Sequence, residues 1–507
     1  MADKSRDILL VGDTFVFNYE ETDSSRNAVE DDDARRQLLQ KVGFEDSFLR
    51  ALRQDFQEDA LADEIADLLN ESTNPALLHL ASILERENFT CDAVNCSSKH
   101  REKLVHLLKS VRYKYVGIST TFTLEFSYIT ELVKLVRALA PGSKVIVGGM
   151  FFVKLFKLES EDVIQQKLAA VDADYVVFND IGEQALVDTL KYEEYSQPDI
   201  RTVPNVAYRT RGGYAVNCYL VNAIESSVSN WTLSRRTTYA FLRTSMSCLF
   251  KCRFCDYPVI ADRHQTKPMA TIRQEFEGIK QAGIKYVRFL DDTFNTPKQH
   301  FREILGELSR VDYGFEWVAY IRCQYLDKES VELMRQSGCI GVFLGLESGN
   351  DGILRNMNKG ASVRKYLEGI SLLHEHSIPA YGAFVVGYPG ETDQTVEDTI
   401  NFINEARLKY YRLFTWVYCP LAPVAEDREK YAIEVSSDGW KHSTMTSFEA
   451  LNKCKLIMRE VSTSAYCTIP YDYALYLNRN PRTTRRFNEC LIKFNAQTVS
   501  RMYGAAS

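Results

Sequence analysis

The sequence predicts an α/β architecture in three parts: a doubly wound parallel sheet, a partial (β/α)6 barrel and a mainly helical C-terminal region. Three observations carry this reading. Short apolar strands alternate with amphipathic helices from residue 75 onward. A second series of six strand–helix steps runs over residues 239–418. Beyond about residue 426 the chain becomes aromatic and polar, with helical spacing.

The elements follow in order. Ile8–Val11 is the first strand and ends on Gly12 and Asp13. A polar stretch over 20–71 contains Glu30, Asp31, Asp32 and Asp33 in succession. It reads as a solvated helical insertion, or as a lid. Ala76–Glu87 has the spacing of an amphipathic helix, with Leu77, Leu78, Leu80, Ile83 and Leu84 apolar. Thr90–Val94, Tyr115–Ser119, Lys144–Gly149 and Tyr175–Phe178 read as strands, separated by helices over Tyr128–Ala140 and, last, Glu183–Lys191. Such a sheet binds ligands at the carboxyl ends of its strands. Those ends carry Ser119, Thr120, Thr121, Gly148, Gly149 and Met150, mostly small or hydroxyl residues that let a large ligand approach the backbone. Residues 192–235 read as a connector, with a hairpin turning at Arg211-Gly212-Gly213.

The second series places strands at Tyr239–Arg243, Tyr286–Leu290, Glu316–Ile321, Ile340–Leu346, Ala380–Val386 and Tyr411–Tyr418. Helices follow at Ile272–Ala282, Gln299–Ser309, Lys328–Ser337, Ser362–His376 and Thr392–Ala406. Six steps suit a TIM-type partial barrel, whose site lies at the strand carboxyl ends. The predicted division is 1–200 for the first, Rossmann-like domain, 201–234 for the connector, 235–425 for the barrel and 426–507 for a C-terminal substrate or cap region.

Composition bounds the function. The 507 residues are 45% apolar and 25% charged, ordinary for a globular chain and unlike collagen, disordered or disulfide-knot sequences. A net charge of −7 argues against a general nucleic-acid grip, which needs a basic surface. No apolar run approaches the ~20 residues that span a bilayer, and the N-terminus lacks a signal-peptide pattern. The expected location is the cytoplasm, where clustered cysteines are metal ligands or catalysts rather than disulfides.

Three of the twelve cysteines cluster: Cys248, Cys252 and Cys255, spaced Cys-x3-Cys-x2-Cys, directly after the first strand of the second series. Three thiolates on one tight loop suit three corners of a cubic iron–sulfur cluster. The alternative is a zinc knot with His264 as fourth ligand. On this motif and its placement the chain resembles the radical S-adenosylmethionine (radical SAM) superfamily over residues 235–425. The resemblance implies that Cys248, Cys252 and Cys255 bind a [4Fe–4S] cluster, and that its open iron takes the amino and carboxylate groups of SAM. It implies that Phe254 lies near the adenine and that Arg322 binds the SAM carboxylate. It implies that Glu347 and Ser348 contact the amino group and ribose. It further implies that Gly387, in the run from Gly382 to Glu391, lets adenine lie on the backbone. Asp291 and Asp292, at the second strand's end, and Tyr418, at the sixth, are candidate catalytic residues near the SAM amino group or substrate. Helix capping by Asp292 and a surface ion pair for Arg322 are the structural alternatives.

The Rossmann-like sheet ahead of the barrel resembles the cobalamin-dependent class of that superfamily. The match covers Pro75 to about Lys191. It implies cobalamin between the two domains, with its nucleotide tail in the sheet's carboxyl edge near Ser119–Thr121 and Gly148–Met150. Asp13 is not followed by the histidine of the Asp-x-His-x-x-Gly motif, so no histidine of this loop is expected on cobalt. The resemblance implies a cobalamin-dependent methyltransferase acting on an unactivated carbon of a small molecule, working as a monomer supplied by an external one-electron reductant of flavodoxin or ferredoxin type, without a membrane partner. The alternatives are a radical SAM enzyme that does not methylate, and a non-catalytic metal- or RNA-binding module.

Overall fold

The computed structural model describes residues 5–13, 74–122, 125–224, 228–234, 238–436, 439–467, 469–479 and 481–504. The acidic insertion expected over 20–71 lies outside the described residues. The chain divides into two compact units. The described parts of the first are 5–13, 74–240 and 260–283, and those of the second are 241–259 and 284–504, each less the short gaps just given.

The first unit is a seven-stranded sheet. Its parallel core runs Cys91–Val94, Ser5–Val11, Arg112–Ser119, Lys144–Gly148, Tyr175–Val177. In chain order this is 2-1-3-4-5, so the winding reverses between the strands Ser5–Val11 and Arg112–Ser119. Both faces are covered, which explains why the strands read as continuous apolar runs. Ile8 and Leu10 pack with Leu77, Leu84, Leu186 and Leu190 on one face. Leu9 and Val11 pack with Leu104, Leu132, Val136 and Phe152 on the other. Three helices supplement those read from spacing: Arg101–Ser110, Met150–Leu158 and Glu161–Val171. The segment read as a connector is more integrated than expected. Val206–Thr210 and Gly213–Val216 form a hairpin that extends the sheet antiparallel to Tyr175–Val177. The reason is burial: Val206, Ala207 and Tyr214 complete its apolar edge.

The second sheet runs in chain order through six barrel strands: Tyr239–Leu242, Tyr286–Phe289, Glu316–Ile321, Cys339–Glu347, Ala380–Val386 and Tyr410–Thr415, with Ala465–Tyr466 added at the far edge. From Tyr286–Phe289 onward, neighbouring strands pair in parallel. The sixth strand is shorter than the sequence suggests. It ends at Thr415, where Trp416 N–H makes its bond to Val386 O, and Tyr418 lies in the loop beyond.

A cross-strand row of Tyr320, Phe343, Tyr381 and Tyr410 lines one face of this sheet. The helix Tyr471–Leu477, buried at all seven residues, packs on it. The Tyr471 ring lies 4.8 Å from Tyr320 and 4.7 Å from Phe343. Arg288 donates from Nη1 to Asp472 Oδ2 at 3.1 Å. Tyr286, which begins the second strand, lies 4.2 Å from the Tyr476 ring, so this helix closes the amino-terminal floor of the barrel. The site-bearing ends lie opposite. No helix among the described residues is long and apolar enough to cross a membrane.

Candidate active site: the cysteine loop and the strand carboxyl ends

The cysteine loop leaves the first barrel strand through Ser247, whose backbone is left-handed at φ 68°. Two neighbouring segments pin it. Arg253 N–H donates to Met357 O and Arg253 O accepts from Val424 N–H, both at 2.8 Å. Asn358 Nδ2 donates to Lys251 O at 2.8 Å. The Arg253 guanidinium reaches Pro423 O at 2.9 Å and Asp427 at 2.7 Å. Cys252 is buried and Cys248 and Cys255 are half-buried; all three are free thiols. Burial pushes the Cys255 thiol up to about 12. Among the described residues no three His, Cys, Asp or Glu side chains are gathered as a ready-made metal-ligand group. The donor chemistry nevertheless fits an iron–sulfur cluster: three thiols on one anchored loop, with a guanidinium beside them.

That guanidinium belongs to Arg322, just past the third strand. It is buried at 7% exposure. Its Nη2 lies 2.9 Å from Cys252 Sγ, its Nη1 donates to Lys359 O at 2.7 Å, and it stacks 3.6 Å over the Phe250 ring. Its backbone N–H donates to Asn295 Oδ1 at 3.0 Å. A buried arginine held on so many sides is not a surface ion pair.

Glu347 ends the fourth strand in a left-handed conformation, φ 63°. Its Oε1 accepts from Lys359 Nζ at 2.7 Å, with both residues buried. Lys359 Nζ also lies 5.6 Å from the Phe254 ring centre. Cys252, Phe254, Arg322 and Glu347 therefore converge through Lys359, a residue that sequence reading missed because a lone loop lysine carries no spacing signal. Ser348 is differently employed. It is buried, its Oγ accepts from Asn350 N–H at 3.2 Å and sits 3.5 Å from Thr399 Oγ1.

The two aspartates at the second strand's end separate in role. Asp291 is buried, and its carboxylate accepts from Thr244 N–H at 3.2 Å, Thr244 Oγ1 at 2.8 Å and Ser245 Oγ. It ties the cysteine loop's root to the second strand. Asp292 keeps Oδ2 without a hydrogen-bond partner. Burial raises its pKa against the pull of Arg243. Neither residue caps the following helix, Lys298–Arg310, whose N-cap is Pro297. Tyr418 is half-buried, 6.2 Å from the Trp416 ring. At the fifth strand's end Gly387 has φ 91°, and a Cβ there would lie 2.6 Å from the Trp440 ring. Its carbonyl lies 3.0 Å from His442 Nε2.

In the first unit the predicted residues gather at the winding reversal and its neighbouring strand ends. Ser119 Oγ and Thr121 Oγ1 lie 3.1 Å apart, and Thr120 donates from Oγ1 to Gly148 O at 2.9 Å. Gly149 has φ 108°, and a Cβ there would sit 2.7 Å from Thr121 N. Met150 opens the helix Met150–Leu158, whose N-cap Gly149 supplies no side chain. Asp13 is held by Ser98 Oγ at 2.8 Å and Ser97 Oγ at 3.1 Å. The half-buried hydroxyls of Ser119 and Thr121 beside glycine backbone fit a bulky polar ligand laid against the sheet edge.

The Radical SAM superfamily model matches residues 242–403, and the B12 binding domain model matches residues 65–187. The chain thus carries a radical SAM domain and a B12 binding domain. Part of the chain is similar to curated relatives. It is 30% identical over 169 residues to the bacteriochlorophyllide d C-12(1)-methyltransferase of Chlorobaculum tepidum, covering 32% of this chain and 37% of that one. It is 26% identical over 284 residues to the ribosomal protein uS12 methylthiotransferase RimO of Chlorobium chlorochromatii, covering 52% and 62%. In each case less than two thirds of the relative is spanned. Among solved structures, the radical SAM methyltransferase TsrM of Kitasatospora setae matches with TM-score 0.60 and 17% identity over 84% of this chain and 78% of that one; it was solved with cobalamin and a [4Fe–4S] cluster bound. The cobalamin-dependent SAM radical enzyme OxsB, with aqua-cobalamin bound, matches with TM-score 0.65 and 12% identity over 97% and 72%. At such identities the likeness shows a common fold.

Proposed function

We propose that this radical SAM chain is a cobalamin-dependent methyltransferase that places a methyl group on an unactivated carbon of a small molecule, in natural-product biosynthesis. One observation carries the reading: a radical SAM domain and a B12 binding domain occur in the same chain. A curated methyltransferase among the relatives supports it. When bound, the cluster supplies the electron that cleaves SAM and cobalamin supplies the methyl carrier; that difficult chemistry is the cofactors' own.

The chain's residues bind, orient and exclude water. Cys248, Cys252 and Cys255 hold the cluster. Arg322 offers a planar, charged fork to the SAM carboxylate, and Glu347 accepts from its ammonium. Phe254 and the open backbone at Gly387 flank the adenine. Ser348 braces the turn after Glu347, and Asp291 braces the root of the cysteine loop. Asp292, with its unpartnered Oδ2, and Tyr418 face the substrate side. Ser119, Thr120, Thr121, Gly148, Gly149 and Met150 hold cobalamin. The partners are the small-molecule substrate and an external one-electron reductant of flavodoxin or ferredoxin type.

The test uses the full chain produced with iron and cobalamin supplied. The expected absorbance contains both cofactors, and SAM labelled in its methyl group yields labelled product together with S-adenosylhomocysteine and 5′-deoxyadenosine. Alanine at Cys248, Cys252 or Cys255 removes the iron and the deoxyadenosine, whereas Cys218→Ala leaves both. A chain that takes up no cobalamin sinks the methyltransferase reading. Deoxyadenosine without label transfer moves the chain to a non-methylating reaction.

A further inference from the structure

We infer that Lys359 is a positioning residue that sets up the SAM-binding end of the barrel by holding Glu347 and Arg322 at once. The inference rests on the SAM site proposed above and adds a residue to it. Lys359 follows the short helix Asp351–Asn356, outside every motif discussed so far. It is 5% exposed, unusual for a lysine unless the charge is paired.

Its two ends do different work. The ammonium donates to Glu347 Oε1 at 2.7 Å, and the backbone carbonyl accepts from Arg322 Nη1 at 2.7 Å. The same ammonium lies over the Phe254 ring. One residue thus touches the candidate contacts for the amino group, the carboxylate and the adenine of SAM. The local backbone is shaped for it. Glu347 adopts a left-handed conformation that non-glycine residues seldom occupy. A Cβ on Gly345 would come within 2.7 Å of Glu347 Oε1 and 3.2 Å of Lys359 Nζ, so a larger residue there would displace the pair from its present position.

Electrostatics gives the pair a purpose. A buried carboxylate without a counter-charge is costly. Lys359 supplies that charge through Oε1 and fixes the carboxylate's direction, which leaves Oε2 as the acceptor for an incoming ammonium. Replacing Lys359 by a neutral side chain frees Glu347 to turn away and loosens Arg322 through the displaced carbonyl.

The test measures the cluster and SAM binding separately on the anaerobically reconstituted full chain. Lys359→Met is expected to hold wild-type iron and sulfide and to give the wild-type electron paramagnetic resonance signal without SAM. It is expected to bind SAM about ten- to a hundredfold more weakly and to lose the SAM-induced change in that signal. Lys359→Arg, which keeps the charge, restores most of both. If Lys359→Met does not fold, Lys359→Gln is read by the same two measurements. A neutral variant that binds SAM within about twofold of wild type with the same spectral change overturns the inference. So does a Glu347→Gln, Lys359→Met pair whose losses simply add, since coupled residues do not behave independently. A wild-type chain that shows no SAM-induced change instead overturns the proposed SAM site itself, and is distinguished by that control.

Discussion

The backbone N–H of Gly387 donates to Glu391 Oε2 within the turn that follows the fifth barrel strand. Glu391 is 2% exposed. Burial pushes its carboxyl up to about 7, against the opposing bond from Gly387. The turn that shapes the candidate adenine surface is therefore fastened by a buried acid.

That acid makes stability depend on pH. The folded carboxyl holds its proton to a higher pH than the unfolded one, ordinarily near 4.5. Between these values the folded state binds more protons, so stability falls as pH rises from about 4.5 to about 7 and then levels. Glu391→Gln keeps an acceptor for Gly387 without the charge. It is expected to be more stable than wild type at pH 8, by on the order of 3 kcal/mol, and so to unfold at a higher temperature, with the gap closing near pH 4.5. Thermal unfolding at the two pH values checks this; an equal gap at both contradicts it.

Gly149 tests the first unit independently. Its φ of 108° and the 2.7 Å approach of a Cβ to Thr121 N mean that Gly149→Ala displaces the Ser119–Thr121 turn. Cobalamin uptake should fall at least about tenfold, while iron content stays at the wild-type level. Cofactor stoichiometry by absorbance and iron analysis reads both.

Asp292 is the carboxylate with an unpartnered oxygen at the second strand's end. Asp292→Asn preserves shape and removes the charge. We expect an intact cluster and turnover lowered by about a hundredfold or more, measured as product per cluster. Asp291→Asn should behave differently, lowering thermal stability first, because its carboxylate serves Thr244 and Ser245.

The barrel floor offers a structural counterpart. Asp472, 1% exposed, accepts from Arg288. Removing one partner of such a buried pair costs about 3–5 kcal/mol. Asp472→Ala should therefore unfold at a clearly lower temperature, with loss of near-ultraviolet signal from the tyrosines around it. Retention of the wild-type midpoint would falsify the assignment of this helix as a structural floor.

Much of this was legible from residues alone, for reasons that can be named. Ile8–Val11 and Val145–Val147 announce strands because both faces of their sheet are covered, leaving no polar alternation to blur them. The cysteines stand out because a tight loop must keep their spacing short. Helix ends were legible to within a few residues; Glu316–Ile321 and Ala380–Val386 were legible to the residue. The helices Arg101–Ser110 and Glu161–Val171 were not, because their exposed faces dilute the apolar pattern.

By itself the sequence determined the alternation of strands and helices, the cysteine loop and the kinds of residue at the strand ends. The tertiary structure alone decided which partners those residues meet. Asp291 and Asp292 are adjacent and chemically alike, yet one carboxylate is bound by Thr244 and Ser245 and the other retains an open oxygen. Lys359 lies 12 positions beyond Glu347 and 37 beyond Arg322, so no local pattern connects them. A side chain's role depends on the partners that folding brings within about 3 Å, and those partners come from distant parts of the chain.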